Sequence, residues 1–327
     1  MRKKARLKQL TLGIAAALLA GSWQAPAWAA EEGPITDTDK TLTENTTVKA
    51  DGSGNNVAAL SMINRKKTVD LAGYNLDLRV EGLTNASTKA SGIYLGEKGG
   101  LTLFGNQAAP DSKGLLNISV VGSIDEAGKS GAAVSGIHIN PENRKPKAEI
   151  NADVTITQLK GGKDPVRGIW AAKNAILDIK GKFKIEQGAV SHRGLEQGWV
   201  NKKDAHTFGM HLEGNNNKVH IDTIDIDDPY IQRGIQLGTE GMEWLEPSGN
   251  VVRIGGGKLK IKEDAEHGHW LMYLIGSPKV YINAGGDEEN EDAPIVPGNR
   301  TTELEGAVHI EKDATLHLGL NGTSSSW

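Results

Sequence analysis

Three residues in the middle of the chain have types and spacing suited to acid–base chemistry. Glu149, Asp178 and His220 each stand at the centre of an apolar-x-apolar triplet: Ala148-Glu149-Ile150, Leu177-Asp178-Ile179 and Val219-His220-Ile221. Stacked as equivalent parallel strands, the triplets would set the three central side chains in one outward row. Glu149 and Asp178 would then lie about one strand spacing apart, roughly 4.8 Å. That is near the roughly 5–5.5 Å between the two carboxyls of a retaining glycosidase. With the imidazole beside them, the row suits polysaccharide hydrolysis or lyase chemistry. The plain alternative is a solvated acidic face, whose like charges repel weakly and are screened by salt. By the same alignment the full row reads Asp70, Thr102, Glu149, Asp178, His220, Arg253 and Tyr281.

A second row suits binding rather than bond-making. Tyr94, His138, Trp170, His211 and Tyr273, together with Ser61 and Gln236, occupy the third position of runs such as Gly92-Ile93-Tyr94-Leu95 and Gly136-Ile137-His138-Ile139. Aromatic and imidazole rings exposed on a sheet face could stack on sugar rings or dock a protein. Equally, bulky side chains there could simply shield the sheet or lie beneath a loop.

Other chemistries find little support. Asp222, Asp225, Asp227 and Asp228 lack the twelve-residue oxygen-ligand loop of a calcium hand, and the nonapeptide calcium repeat does not occur. His206 with His211, or His267 with His269, has neither a His-Glu-x-x-His helix nor thiolate partners, so no zinc site is expected. Neither a Gly-x-Ser-x-Gly elbow nor a phosphate-binding glycine loop is present. No cofactor is implied. Asn45, Asn85, Asn117, Asn299 and Asn321 begin N-x-S/T triplets, which matter only where exported chains are glycosylated.

The elements that would position these rows are short alternating strands. Val166 to Gln187 contains three: Gly168-Ile169-Trp170-Ala171, Leu177-Asp178-Ile179 and Phe183-Lys184-Ile185. A period of two buries Ile169, Ala171, Leu177, Ile179, Phe183 and Ile185 and turns Trp170, Asp178 and Lys184 outward. Lys180-Gly181-Lys182 has turn composition and is too short for a helix. Such a unit cannot bury its own apolar face and needs copies above and below. Copies begin at 59, 92, 136, 168, 209, 234 and 271, separated by 33, 44, 32, 41, 25 and 37 residues, and residues 306–320 resemble one more partial copy. A recurring motif at wandering spacing marks a solenoid with variable corner loops. The helical three-and-four spacing is missing.

Three strands per turn stacked in parallel make an all-β parallel β-helix of about seven turns, roughly 34 Å long at one strand spacing per turn. A β-sandwich also has many short alternating strands, but it does not repeat one ordered triplet. Residues 30–56, polar and rich in Thr, Asp and Asn, read as an N-terminal cap ahead of a β-helix spanning 57–320. The longer loops are Gly105–Gly114, Gly122–Gly131, Gln187–His206 and the acidic, proline-containing Gly286–Arg300.

The first 29 residues read as an export signal: a basic start (Arg2, Lys3, Lys4, Arg6, Lys8), an apolar run from Leu10 to Ala20, and Ala27-Trp28-Ala29 as the cleavage pattern. No later apolar run is long enough for a membrane helix. Removing the signal takes five of the 37 basic residues and none of the 41 acidic ones, so the mature net charge is −9. That disfavours nucleic acid or an anionic membrane as partner. With no cysteine, the exported chain has no disulfide or thiolate chemistry.

Together, the export signal, the cysteine-free chain, the Gly-Ile-x-Leu turns and a closing segment Asp313-Ala314-Thr315-Leu316-His317-Leu318-Gly319-Leu320 resemble the passenger region of bacterial autotransporters, type V secreted surface proteins of which many are adhesins. The resemblance covers most of residues 30–327. It implies a right-handed coil, which the handedness of parallel crossovers also favours, and a place at the cell surface, outer-membrane-associated or secreted. It implies surface glycans or proteins of a host or neighbouring cell as partners. The family's C-terminal barrel would need amphipathic strands of roughly ten residues. None is seen before Ser324-Ser325-Ser326-Trp327, so residues 321–327 read as a truncated or unfinished end, or the likeness stops at the fold. The expectation is a non-enzymatic adhesin or binding scaffold. A polysaccharide-processing β-helix using Glu149, Asp178 and His220 is the first alternative, because β-helices also carry such enzymes. An inert stalk is the second.

Overall fold

A computed structural model describes residues 29–52, 54–84, 88–112, 114–122, 133–140, 145–161, 164–192, 206–238, 247–262, 269–285, 298–319 and 325–326. Residues 1–28, nearly all of the stretch read as an export signal, the centres of three longer loops (123–131, 193–205 and 286–297), His267 and Trp327 lie outside the described residues. Among the described residues every regular element is a strand and every strand pairing is parallel. No helix among them is long and apolar enough to cross a membrane.

The strands fall into stacked sheets that repeat in one order, the pattern of a parallel β-helix solenoid. Each turn contributes a strand to a first face, then a second, then a third. The first face is a nine-stranded sheet from Ile35–Thr36 through Lys89–Leu95, Val134–Ile139, Val166–Ala171 and Thr207–Leu212 to Val308–Ile310. The second and third faces are joined into one eighteen-stranded sheet, because in some turns a single strand serves both. Ile176–Ile185 and Lys218–Asp227 do so, with a register irregularity between Ile179 and Lys182 where the strand rounds the corner.

Nine first-face strands replace the seven or so expected from the motif. Part of the difference is the polar segment read as a cap, which is itself a turn: Ile35 pairs with Leu60, Lys40 with Val69 and Thr46 with Leu76. Its apolar positions are few but spaced correctly, and Ile35, Leu42 and Val48 are buried. The other added strand is the partial copy near the end, in which Val308 pairs with Met272.

Inside the coil, like residues align. Leu60, Ile93, Ile137, Ile169, Met210, Ile235 and Met272 form one continuous row, each paired with the next and each fully buried. Burying one such side chain stabilises by about 1.5–3 kcal/mol, and the row joins a single core cluster. The motif's glycine has a steric cause. A Cβ on Gly136 would lie 2.5 Å from Ile156 Cδ1, and one on Gly168 would lie 2.8 Å from Ile185 Cδ1. Both isoleucines come from the third face of the same turn, so glycine lets that face close across the core.

Backbone groups at corners are satisfied by stacked asparagines. Asn217 Oδ1 accepts from the Ala175 amide, and Asn250 Oδ1 accepts from the Asn217 amide one turn on, at 3.1 and 2.9 Å. Both side chains are completely buried, where an unpaired amide would be costly.

Candidate functional site

The first-face row forms as the sequence suggests. Ser61, Tyr94, His138, Trp170, His211, Gln236 and Tyr273 are consecutive partners, and His309 extends the row beyond Tyr273. Its surroundings differ from the expectation. His138, His211 and Tyr273 are 1%, 4% and 7% exposed, and only Tyr94 and Trp170 are half-buried. The three buried side chains therefore do not offer open faces to a partner.

They are occupied by one another and by two arginines. His138 stacks on Trp170 with centroids 3.9 Å apart and planes 3° from parallel, and Tyr94 meets His138 edge-on at 5.2 Å. The Arg167 guanidinium lies 4.2 Å from the Trp170 ring centroid. It donates from Nε to His211 Nδ1 at 3.0 Å and from Nη2 to Glu213 Oε1 at 2.9 Å. Two turns on, Arg233 lies 4.0 Å over Tyr273 and donates to Gln236 Oε1 at 2.5 Å. Tyr273 stacks on His309 at 4.4 Å. Burial pushes the His138 pKa down to about 3, with the charges of Arg167 and Lys89 adding to the effect. Burial and then Arg167 hold His211 well below the usual imidazole range. The row is a cation–π spine that ties successive turns together.

Arg167, Phe208, Arg233 and Trp270 escape the alternation rule. They form their own row, in which Arg167 pairs with Phe208, Phe208 with Arg233, and Arg233 with Trp270. In Val166–Ala171 the core takes Val166 and both Gly168 and Ile169, and Arg167 and Trp170 fall on the same outer side, the guanidinium over the indole. For the first three the signal was available as the residue preceding the motif glycine, and Trp270 holds the same place before Leu271.

On the second face Glu149 pairs with Asp178 and Asp178 with His220, as expected, followed by Arg253, Tyr281 and His317. One member was misplaced. Asp70 pairs with Phe104, and Thr102 pairs with Thr68, a two-residue offset: the triplet in register with Leu101-Thr102-Leu103 is Lys67-Thr68-Val69, and its lysine made a hydropathy alignment choose Val69-Asp70-Leu71 instead.

The carboxylates of this row are already engaged. Glu149 receives Lys180 Nζ at 2.5 Å and Lys147 Nζ at 3.3 Å. The hydrogen bond from Lys180 holds its pKa below the usual carboxylate range, against the opposing effect of burial. A glycosidase acid needs the reverse shift. Asp178 Oδ1 lies 2.9 Å from His220 Nδ1, and Asp222 Oδ1 lies 3.6 Å from His220 Nε2. His220 is flanked by two carboxylates and half-exposed.

The aspartates weighed for calcium are likewise spoken for. Asp225 pairs with Lys182 at 2.5 Å, Asp227 with Lys258, and Asp222 with Arg300. Asp228 is buried and accepts from the Val190 and Tyr230 amides. Among the described residues no group of three or more potential ligands converges for a metal ion.

An open site remains at the corner between the second and third faces. Phe104, Asn106, Gln107, Pro110, Asn151 and Lys180, with the backbone of Gly105, line a cleft of about 330 Å³. Phe104 and Asn151 are register partners at the ends of adjacent second-face strands, and Lys180 stands on the next turn. The loop that closes the cleft is firmly tied. Asn106 Oδ1 accepts from the Ala108 and Ala109 amides, Asp70 Oδ1 accepts from the Gln107 amide, and Gly105 donates to the Asn151 carbonyl. The sequence showed this loop only as an interval between two glycines.

No protein-family model matches the chain, and no curated protein or solved structure matches it with significance.

Proposed function

We propose that the chain is an exported β-helical binding scaffold, the passenger region of a bacterial autotransporter, displayed at the cell surface or released from it. Its partners are glycans or proteins of a host or neighbouring cell. Contact runs along a rigid rod through outward side chains and corner loops, without a bond being made or broken.

The observation that carries this reading is the combination of a preformed corner cleft with a neighbouring carboxylate, Glu149, that is ion-paired to Lys180 and held below the usual carboxylate range. Such a surface is ready to bind, and Glu149 is shifted away from the part of a proton-donating acid. The export signal and the coil supply the cellular context.

The test is binding of the purified chain to an array of glycans and matrix proteins, with cleavage products assayed in the same wells. Capture without products is the expected result. Products that disappear in Glu149→Gln or His220→Ala would replace the scaffold with a polysaccharide-processing enzyme. Silence in both assays would leave a structural stalk.

A further inference from the structure

The corner cleft has the chemistry of a sugar subsite. Phe104 is half-buried with its side chain outward, since Leu103 beside it is fully buried in the core. It offers an aromatic surface to the apolar face of a ring. Gln107 and Asn151 flank it with carboxamides, each able to donate and accept, which suits hydroxyl groups better than carboxylates. Among the described residues neither amide side chain has a hydrogen-bond partner within the protein, although the Gln107 backbone is held by Asp70.

Charge narrows the ligand further. Lys180 is the cation lining the cleft, and it is already held by Glu149 at 2.5 Å with Asp178 at 3.9 Å. Asp70 is the register neighbour of Phe104. An acidic sugar would find that ammonium already neutralised, with the carboxylates of Glu149, Asp178 and Asp70 close behind the lining. At about 330 Å³ the cleft also falls at the small end of ligand sites, which run from about 300 to 1,000 Å³. Its walls are fixed by backbone hydrogen bonds before any ligand arrives, so little ordering cost is left for binding.

We infer that this cleft is a subsite for a neutral pyranose residue, with Phe104 as platform and Gln107 and Asn151 as readers of its hydroxyls. The inference rests on the binding-scaffold reading and names the ligand class for one site on it.

The test is saturation-transfer NMR on the purified chain with methyl glycosides of glucose, galactose, mannose and N-acetylglucosamine, and with methyl glucuronide as the acidic control. Saturation is expected on one face of at least one neutral sugar and absent from the glucuronide. Phe104→Ala should abolish it. Gln107→Ala, an exposed change that does not threaten the fold, should weaken affinity about tenfold, one lost hydrogen-bonding group being worth about 1.4 kcal/mol. Thermal melting of Phe104→Ala and Phe104→Leu separates lost binding from lost structure. Saturation of the glucuronide alone, no saturation of any neutral sugar, or signals unchanged in both Phe104→Ala and Gln107→Ala would overturn the inference. Array capture that survives Phe104→Ala would remove the cleft while leaving the scaffold reading in place.

Discussion

Arg167 donates its Nε hydrogen to Nδ1 of His211 on the next turn, at 3.0 Å. The bond fixes the protonation state of the imidazole. With Nδ1 accepting, the ring proton sits on Nε2, which faces the Gly238 carbonyl at 3.1 Å. A second proton would turn the acceptor into a donor aimed at a guanidinium. A neutral histidine is therefore part of the joint between turns, and so is neutral His138, stacked in the same row.

Acid should loosen the coil from this face. The folded pKa of His138 is lowered to about 3, below its unfolded value of 6.5, and that of His211 is lowered too. The unfolded chain thus binds more protons at acid pH. The stability from the neutral rings is complete above about pH 6.5 and declines as pH falls from there toward about 3. The slope is about 1.4 kcal/mol per pH unit for one histidine in this window. Thermal melts from pH 7.5 to 4 should show the decline, and His138→Gln should flatten part of it. An unchanged melting temperature across that range would refute the claim.

The spine and the cleft differ in how far the sequence revealed them. The row Tyr94, His138, Trp170, His211 and Tyr273 was legible because each residue follows an inward aliphatic one in a repeated motif. Its burial was not, because burial depends on Arg167 and Arg233, which sit at positions where strict alternation fails. The pairing of Glu149 with Asp178 was legible from a shared triplet. Their ion pairing was not, since Lys180 lies in what reads as a turn. The cleft joins residues from three successive turns, Gln107, Asn151 and Lys180 among them, and no local pattern connects those.

The motif glycine supplies a packing test. Gly136→Ala would set a methyl 2.5 Å from Ile156 Cδ1 and 2.7 Å from the Gly168 carbonyl. Overpacking of this kind costs about 1–3 kcal/mol, and the carbonyl cannot move without disturbing the next strand. Gly33→Ala meets nothing within 4 Å and should stay within about 0.5 kcal/mol of the parent. Denaturant unfolding of the two variants gives the comparison, and equal midpoints would show that the coil does not need the glycine.

Among the described residues Arg233 is the largest fully buried side chain, and its planar group both covers Tyr273 and bonds Gln236. Arg233→Ala should destabilise by about 2–4 kcal/mol, combining a cavity with an unsatisfied amide oxygen. Arg233→Lys keeps the charge but not the plane or the fork, and should recover less than half of that loss. Full recovery by lysine would mean that charge alone, and not stacking, is what the position requires.

The third face points to a role for charge in choosing the strand register. Lys184, Asp225, Lys258 and Glu303 are consecutive partners along it, as are Asp227, Lys260 and Glu305, so the sign alternates from turn to turn in two neighbouring rows. Lys258 pairs with Asp227, and Lys260 pairs with both Glu303 and Glu305. Directly opposed unlike charges favour one register, and like charges disfavour it. Lys258→Glu would place three carboxylates in line across Asp225, position 258 and Glu303. These side chains are partly exposed, so the repulsion should be screened by salt. The variant should melt lower than the parent in dilute buffer and approach it in about 1 M salt, where the screening length is about 3 Å. A deficit that is the same at both ionic strengths would place the cost in lost packing of the lysine stem instead.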